Sequence, residues 1–550
     1  MRTRKKRMTI LLAAAAAVSL LFGMAPSDGS GKASAAGRPV AIASCLIAGT
    51  DVVCEIRASA VPASDDGKYY LYADEVYQDG PTGSIVATVE TGRSVTASFP
   101  LSHNTADSNL SRKFLVAVKS GGQMVQVSDE HYITNPEAIA GLSSPRMNTG
   151  IKGILPDVER ITSGEVAGMG IRQVIYNMHL DDICSAATVP GAVPFEYNGQ
   201  TWYFDGAVLS NYDALVKAVN RGGMQFTMVL LNHGTGAYSQ DLVHPMARDG
   251  VCEGYALNVA DDAGTEHLKA IGAFLGQRYS GRLGFGQVDN WIVGNEVNAR
   301  TSWWYCSSDS LDFNVGIYAK AFRILYNELK SANANYWIYN SIDQEWNRKS
   351  NPGSFLAKDY LDRFNYYMIR EGNIDWGLSY HPYNSPLYDP YAWNGPEAWV
   401  KKGLSTPYIT MQNIDILIDY MHQPGFLNPQ GEVRSISLAE IGYTSSFGTE
   451  AQEASIAYGY LKAASLPDVD SFMLFRMTDD AHEMESYLAL GLYDQNGNKK
   501  PSYEIYRNLG GPGEAAAKER ASEIIGMDID QMIRENIIWT RSGTGVVSLE

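Results

Sequence analysis

The sequence predicts an α/β protein: a (β/α)8 TIM barrel preceded by a small all-β sandwich and followed by a short helical tail. Three observations carry this. Between residues 145 and 510, strand-like apolar runs alternate eight times with helix-like runs, the count of a closed parallel barrel. Between 38 and 135, seven short runs alternate apolar and polar residues and are punctuated by Asp-Gly, Thr-Gly and Gly-Gly, as in a sandwich. Beyond Gly510-Gly511-Pro512-Gly513, residues 514–550 are charged and helical and carry no reactive motif. They are expected to pack against the barrel base.

In order, the chain opens with a basic start (Arg2, Arg4, Lys5, Lys6, Arg7), an apolar run from 10 to 22 and an Ala33-Ser34-Ala35 cleavage pattern. Residues 1–35 therefore read as a signal peptide, and the protein as secreted or held at the cell surface. No later stretch is long and apolar enough to span a bilayer. The formal net charge is −17, and removal of the basic leader makes it more negative. Such a surface repels nucleic acid and anionic membranes, so a neutral partner fits better. Hydrophobic residues make up 45% and charged residues 19%, which excludes a disordered chain.

The sandwich, 38–135, begins with Cys45 and Cys54 on either side of the turn Gly49-Thr50-Asp51. In an exported protein that spacing suggests a disulfide clipping a hairpin. Cys184, Cys252 and Cys306 remain, with a second bridge and one buried thiol expected. No ligand spacing supports a metal site, and no cofactor is expected. The module's expected role is to pack on its neighbour rather than to bind.

The eight barrel strands are expected near 147–155, 171–177, 225–231, 291–294, 336–339, 376–380, 433–438 and 471–475. The domain, 145–510, exceeds the usual ~250 residues. The surplus falls into loops at about 182–210, 232–263 and 382–407, rich in Gly, Pro, Tyr and Trp and suited to walling a cleft. Side chains at the C-terminal ends of barrel strands carry chemistry. The fourth strand ends in Asn295-Glu296, the sixth in His381 and the seventh in Glu440. A bare strand followed by a polar loop explains each of these singly; two carboxylates on facing strand ends ask for more.

Two carboxyl groups ~5–5.5 Å apart suit a displacement in which one donates a proton and the other attacks carbon. At that gap, with an effective dielectric near 20, two negative charges repel by about 3 kcal/mol. That is about two pKa units, enough to keep one carboxyl protonated near neutral pH.

The stretches Trp291-Ile292-Val293-Gly294-Asn295-Glu296, Ser379-Tyr380-His381-Pro382-Tyr383 and Ser437-Leu438-Ala439-Glu440-Ile441-Gly442-Tyr443 resemble the clan of retaining (β/α)8 glycoside hydrolases that includes β-xylosidases, cellulases and mannanases. The resemblance covers residues 145 to 510. It implies a carbohydrate substrate, with Glu296 as acid/base, Glu440 as nucleophile, Asn295 on the sugar 2-hydroxyl and Tyr383 touching the nucleophile. His381 would line the subsite. Two departures stand out. Many members end strand eight with a Trp, where this chain has Phe475-Arg476, so Phe475 or Arg476 would substitute. Many also place an Arg near the end of strand two, where this chain has Asn177; the strand's one Arg, Arg172, lies near its start. Trp303 and Trp304 are candidates to stack on sugar, with loop anchoring the alternative for each. Asn232 and His233, ending strand three, are weaker candidates. Asp343, Glu345, Asp479, Asp480 and Glu485 read as solvated surface carboxylates. A barrel that binds glycan without cutting it, and a transglycosylase using the same two Glu, are the rival readings.

Overall fold

The computed structural model describes residues 38–147 and 150–543, with side chains to 537. The expected signal peptide lies outside the described residues. The first eight strands are β1 (Val40–Ala48), β2 (Asp51–Ala58), β3 (Lys68–Asp74), β4 (Ser84–Glu90), β5 (Ser94–Pro100), β6 (Lys113–Ser120), β7 (Gln123–Gln126) and β8 (His131–Tyr132). They form two antiparallel sheets, β1-β2-β5 and β4-β3-β6-β7, with β8 added to β6. Alternation along β1 and β2 sends Ile42, Cys45, Ile47, Val52, Cys54 and Ile56 into a shared core with Leu71, Phe99 and Phe114.

Cys45 and Cys54 are direct cross-strand partners. They are nevertheless free thiols, with Sγ atoms 3.2 Å apart. The expected bridge is absent here, as is the second one. Cys184 and Cys252 donate to backbone carbonyls, of Leu180 and of Ser302, and Cys306 is buried.

The sandwich packs on two barrel helices, Asp262–Arg278 and Leu311–Ala332, through buried polar contacts. Lys269 pairs with Glu75 at 2.7 Å, Ser111 donates to Glu328 at 2.7 Å, and Asn327 donates to the Leu110 carbonyl at 2.9 Å.

The barrel closes through β9 (Lys152–Ile154), β10 (Gln173–His179), β13 (Gln225–Leu231), β14 (Asn290–Val293), β15 (Trp337–Asp343), β16 (Gly377–His381), β17 (Ile436–Ile441) and β18 (Val469–Leu474), all parallel. The strands are apolar on both faces because both are covered. Ile175, Val229, Leu231, Ile292, Tyr339, Ala439 and Met473 fill the inside. Trp291 and Val293 point outward into the layer beneath the helices.

The insertion at 182–210 is not a wall of the cleft. It forms a hairpin, β11 (Val193–Tyr197) and β12 (Gln200–Phe204). Its aromatic residues pack against helix Asp262–Arg278, with Phe204 stacked on Phe274 at 3.8 Å. The tail also differs from expectation. Helices Glu514–Ile525 and Ile529–Gly543 pack on the barrel flank rather than its base: Arg520 pairs with Glu453 of helix Thr449–Ala464, and Asn536 donates to Tyr458. No helix among the described residues is long and apolar enough to cross a membrane.

Candidate functional site

At the C-terminal end of the barrel lies a cavity of about 420 Å³, lined by residues that include Asn177, Asn295, Glu296, Trp303, Tyr383 and Glu440. The turn that delivers Glu296 depends on Gly294. Its φ of +76° favours glycine, and an added Cβ would sit 2.8 Å from Val297 and 3.1 Å from the Trp304 ring. Glu296 itself has φ +38°, a strained value for a residue with a side chain. Neighbouring β15 holds it there: Ser341 accepts from the Val297 amide at 2.9 Å, and its hydroxyl accepts from the Glu296 amide at 3.1 Å. Asn298 and Asp343 exchange two hydrogen bonds, of 2.8 and 3.1 Å.

One histidine joins the two carboxylates. His381 Nδ1 lies 2.9 Å from Glu296 Oε1 and 3.8 Å from Glu440 Oε2. The gap between these oxygens is therefore no larger than the sum of the two distances. Tyr383 donates to Glu440 Oε1 at 2.8 Å. His381 is 2% exposed, so it sits beneath the carboxylates rather than on the cavity wall. Burial lowers its pKa and favours the neutral ring. Nδ1 can then donate to an ionised Glu296 or accept from a protonated one.

The two carboxylates differ in what surrounds them. Burial, and then the Glu345 charge, push Glu296 up to about 7. Burial also raises Glu440 and the Glu296 charge adds to it, while the hydrogen bond from the Tyr383 hydroxyl opposes the rise. Both carboxyls are thus held above their ordinary range, and two like charges this close favour a single proton between them, the division of labour that acid and nucleophile need.

Trp303 lines the cavity, whereas Trp304 does not. Trp304 is 2% exposed and packs edge-on against Tyr318 at 5.1 Å, so its expected sugar contact gives way to a core role beneath Gly294. Of the pair ending strand eight, Phe475 lines the cavity, while Arg476 stands behind it, paired with Glu483 at 2.9 Å. Arg172 is at the opposite end of the barrel, near Lys152 and Arg507. Asn232 is buried, donating to the Leu242 carbonyl, and the His233 ring lies tilted against that of His179.

Asp343 and Glu345 are not surface carboxylates. They are 5% and 7% exposed and line the cavity, as does Glu483. The rule that found Glu296 and Glu440, a carboxylate at a strand end, would have found Asp343 too. Asp479 is likewise buried, against Lys500 at 2.7 Å. Among the described residues no cluster of three or more His, Cys, Asp or Glu is arranged to hold a metal ion.

Three solved structures similar to this chain are a family 39 glycoside hydrolase from the gut symbiont Bacteroides cellulosilyticus WH2, GH5_18 from Bifidobacterium longum subsp. longum, and a glucosidase from Croceicoccus marinus. The first is 13% identical, with coverage of 82% of this chain and 79% of that one, at a TM-score of 0.41. The second is 12% identical, covering 66% and 79%, at 0.42. The third is 14% identical, covering 66% and 69%, at 0.40. No curated protein matches. A family model described as a family of unknown function, DUF5722, matches residues 144–532, which take in the whole barrel and both carboxylates, and the chain belongs to that family.

Proposed function

We propose that this protein is an exported glycoside hydrolase that cleaves O-glycosidic bonds of a poly- or oligosaccharide by a retaining double displacement. The observation that carries the reading is the single His381 nitrogen within 2.9 and 3.8 Å of two carboxylates that open into one cavity. That spacing favours the ~5–5.5 Å of direct attack over most of the ~6.5–9.5 Å range that leaves room for an intervening water.

In the first step Glu440 attacks the anomeric carbon. Tyr383 occupies Oε1, so Oε2 is the oxygen left for attack. The bond to the leaving oxygen breaks, and Glu296 passes its proton to that oxygen. In the second step ionised Glu296 takes a proton from water, the water oxygen bonds to the anomeric carbon, and Glu440 is released as a carboxylate. Asn295 on the wall is suited to the sugar 2-hydroxyl, and Trp303 to a ring face.

The test is a panel of plant and microbial glycans, read by mass spectrometry for new reducing ends. Wild type releases them, and Glu440→Ala and Glu296→Ala do not. Azide with an activated glycoside restores turnover to Glu440→Ala and gives a product of opposite anomeric configuration. Wild-type rates in either variant would sink the assignment. Retention of a glycan without cleavage would favour a binding barrel, and transfer at high acceptor concentration a transglycosylase.

A further inference from the structure

On three loops of the barrel's upper face, three exposed aromatic rings form a row. Tyr388 is 49% exposed, Phe447 55% and Tyr487 60%. Phe447 lies in the middle, with its ring centre 6.3 Å from that of Tyr388 and 5.8 Å from that of Tyr487. The row adjoins the cavity at both ends of its sequence: Leu387 and Leu488, next to Tyr388 and Tyr487, line the cavity.

The row is rigidly supported. The Tyr487 carbonyl accepts from the Thr444 hydroxyl at 2.5 Å, and the Ala489 carbonyl from the Ser445 amide at 3.0 Å. Lys500 bonds the Ser445 hydroxyl at 2.9 Å and Asp479 at 2.7 Å. Asn384 donates to the Asp389 carbonyl at 2.8 Å, fixing the loop that carries Tyr388. Tyr487 has φ +63°, a backbone value a tyrosine adopts only under constraint. Adjacent exposed aromatic rings on a braced surface mark a place where something binds.

We propose that Tyr388, Phe447 and Tyr487 form a glycan shelf on which an uncharged stretch of polysaccharide lies as it leaves the cavity. This rests on the glycosidase reading and adds that the substrate is a chain longer than the cavity holds. The apolar C–H face of a pyranose ring complements the electron-rich face of an aromatic ring. The ring spacing is about the breadth of one sugar, and two of the three rings carry hydroxyls able to bond its edge. Exposed Glu485, close in sequence to Tyr487, opposes an anionic chain.

The experiment compares wild type, Phe447→Ala and Tyr388→Ala/Phe447→Ala on soluble xylan, mixed-linkage β-glucan and galactomannan, on their oligosaccharide ladders and on aryl glycosides. For whichever polymer wild type cleaves, kcat/KM on the polymer is expected to fall about tenfold in the double variant. It should stay within twofold on the shortest cleaved substrate. Equal loss at all chain lengths, or none, overturns the shelf and leaves the glycosidase reading standing. If wild type cleaves none of them and nothing in the wider glycan panel, that reading fails. The shelf is then judged by electrophoresis through gels holding the same polymers. Retardation that is lost in the variants supports it, and unretarded wild type overturns it. Loss of self-association in Phe447→Ala by sedimentation, with polymer binding unchanged, would also overturn it and assign the row to a second copy of this chain.

Discussion

The two ends of the barrel treat buried charge in opposite ways. At the N-terminal end, cations are answered by backbone. Lys152 donates to the carbonyls of Met169, Arg507 and Leu509, at 2.9, 3.1 and 2.7 Å. Arg434 donates to those of Phe426, Ile374, Trp376 and Leu427. These groups tie strand starts to helix ends. At the C-terminal end, Glu296, Asp343, Glu345, Glu440 and Glu483 face one cavity, and the Arg476 guanidinium behind it is turned to Glu483. Carboxylates crowded together without matching cations cost stability, and a fold tolerates that where the repulsion does chemistry.

Substitutions at the two ends should therefore separate activity from stability. The largest effect is expected from Glu296→Gln, with kcat lowered about 10²–10⁴-fold, the range for loss of an acid/base group, and no loss of thermal stability. Lys152→Met is the mirror image. It removes three hydrogen bonds, but the cavity beside Lys152 lets water reach the freed carbonyls. The cost is then about 2–3 kcal/mol in a denaturant melt, with kcat per folded molecule retained. A stability loss in Glu296→Gln equal to that of Lys152→Met would remove the contrast.

A smaller effect follows from the sign of the Glu296 shift. Its folded pKa, about 7, lies above the ~4.3 of an unfolded Glu. Between those values the folded state holds the proton that the unfolded state has lost, so stability falls as pH rises through the window. Glu296→Gln abolishes that decline. The variant should match wild type at pH 4 and exceed it by about 1–3 kcal/mol at pH 8. Parallel melts at the two pH values measure it, and an equal difference at both would mean Glu296 titrates normally.

How much of this was legible in the chain depended on whether a signal was periodic or local. The eight strands were readable because most are short, largely apolar and buried runs set between helix-like segments. Glu296, Glu440 and Asn295 followed from strand ends, a position the register defines, and Tyr383 from the family resemblance. The carboxylate at the end of β15 was misread because the expected strand stopped at 339 while pairing extends to Asp343 against His381. Four residues of strand moved an acid from loop to cavity wall. Trp303 and Trp304 are identical letters one step apart, and only the fold decides which faces the cavity and which lies under Gly294. Cys45 and Cys54 were placed as cross-strand partners by their turn, but spacing does not fix an oxidation state. The 182–210 insertion hides a hairpin because Pro and Gly punctuation reads as loop, while its aromatic residues find a partner far along the chain.

The smallest expected effect tests where the crowding at the upper end acts. Glu345 accepts from the Ser350 amide at 2.8 Å and from the Ser350 hydroxyl, so its charge is held in place beside the cavity. It is the charged neighbour that raises Glu296. Glu345→Gln keeps the shape and removes the charge, so Glu296 should lose its proton at lower pH. The basic limb of the kcat/KM profile is then expected to move down by a few tenths of a unit to about one unit. The acidic limb, set by Glu440 with Tyr383 and His381, should stay in place. A higher KM with both limbs unmoved would make Glu345 a substrate contact and leave burial alone as the cause of the Glu296 shift. Movement of the basic limb alone would show that a third carboxylate, in the turn that follows the strand next to the acid, sets the pH range over which the proton can be delivered.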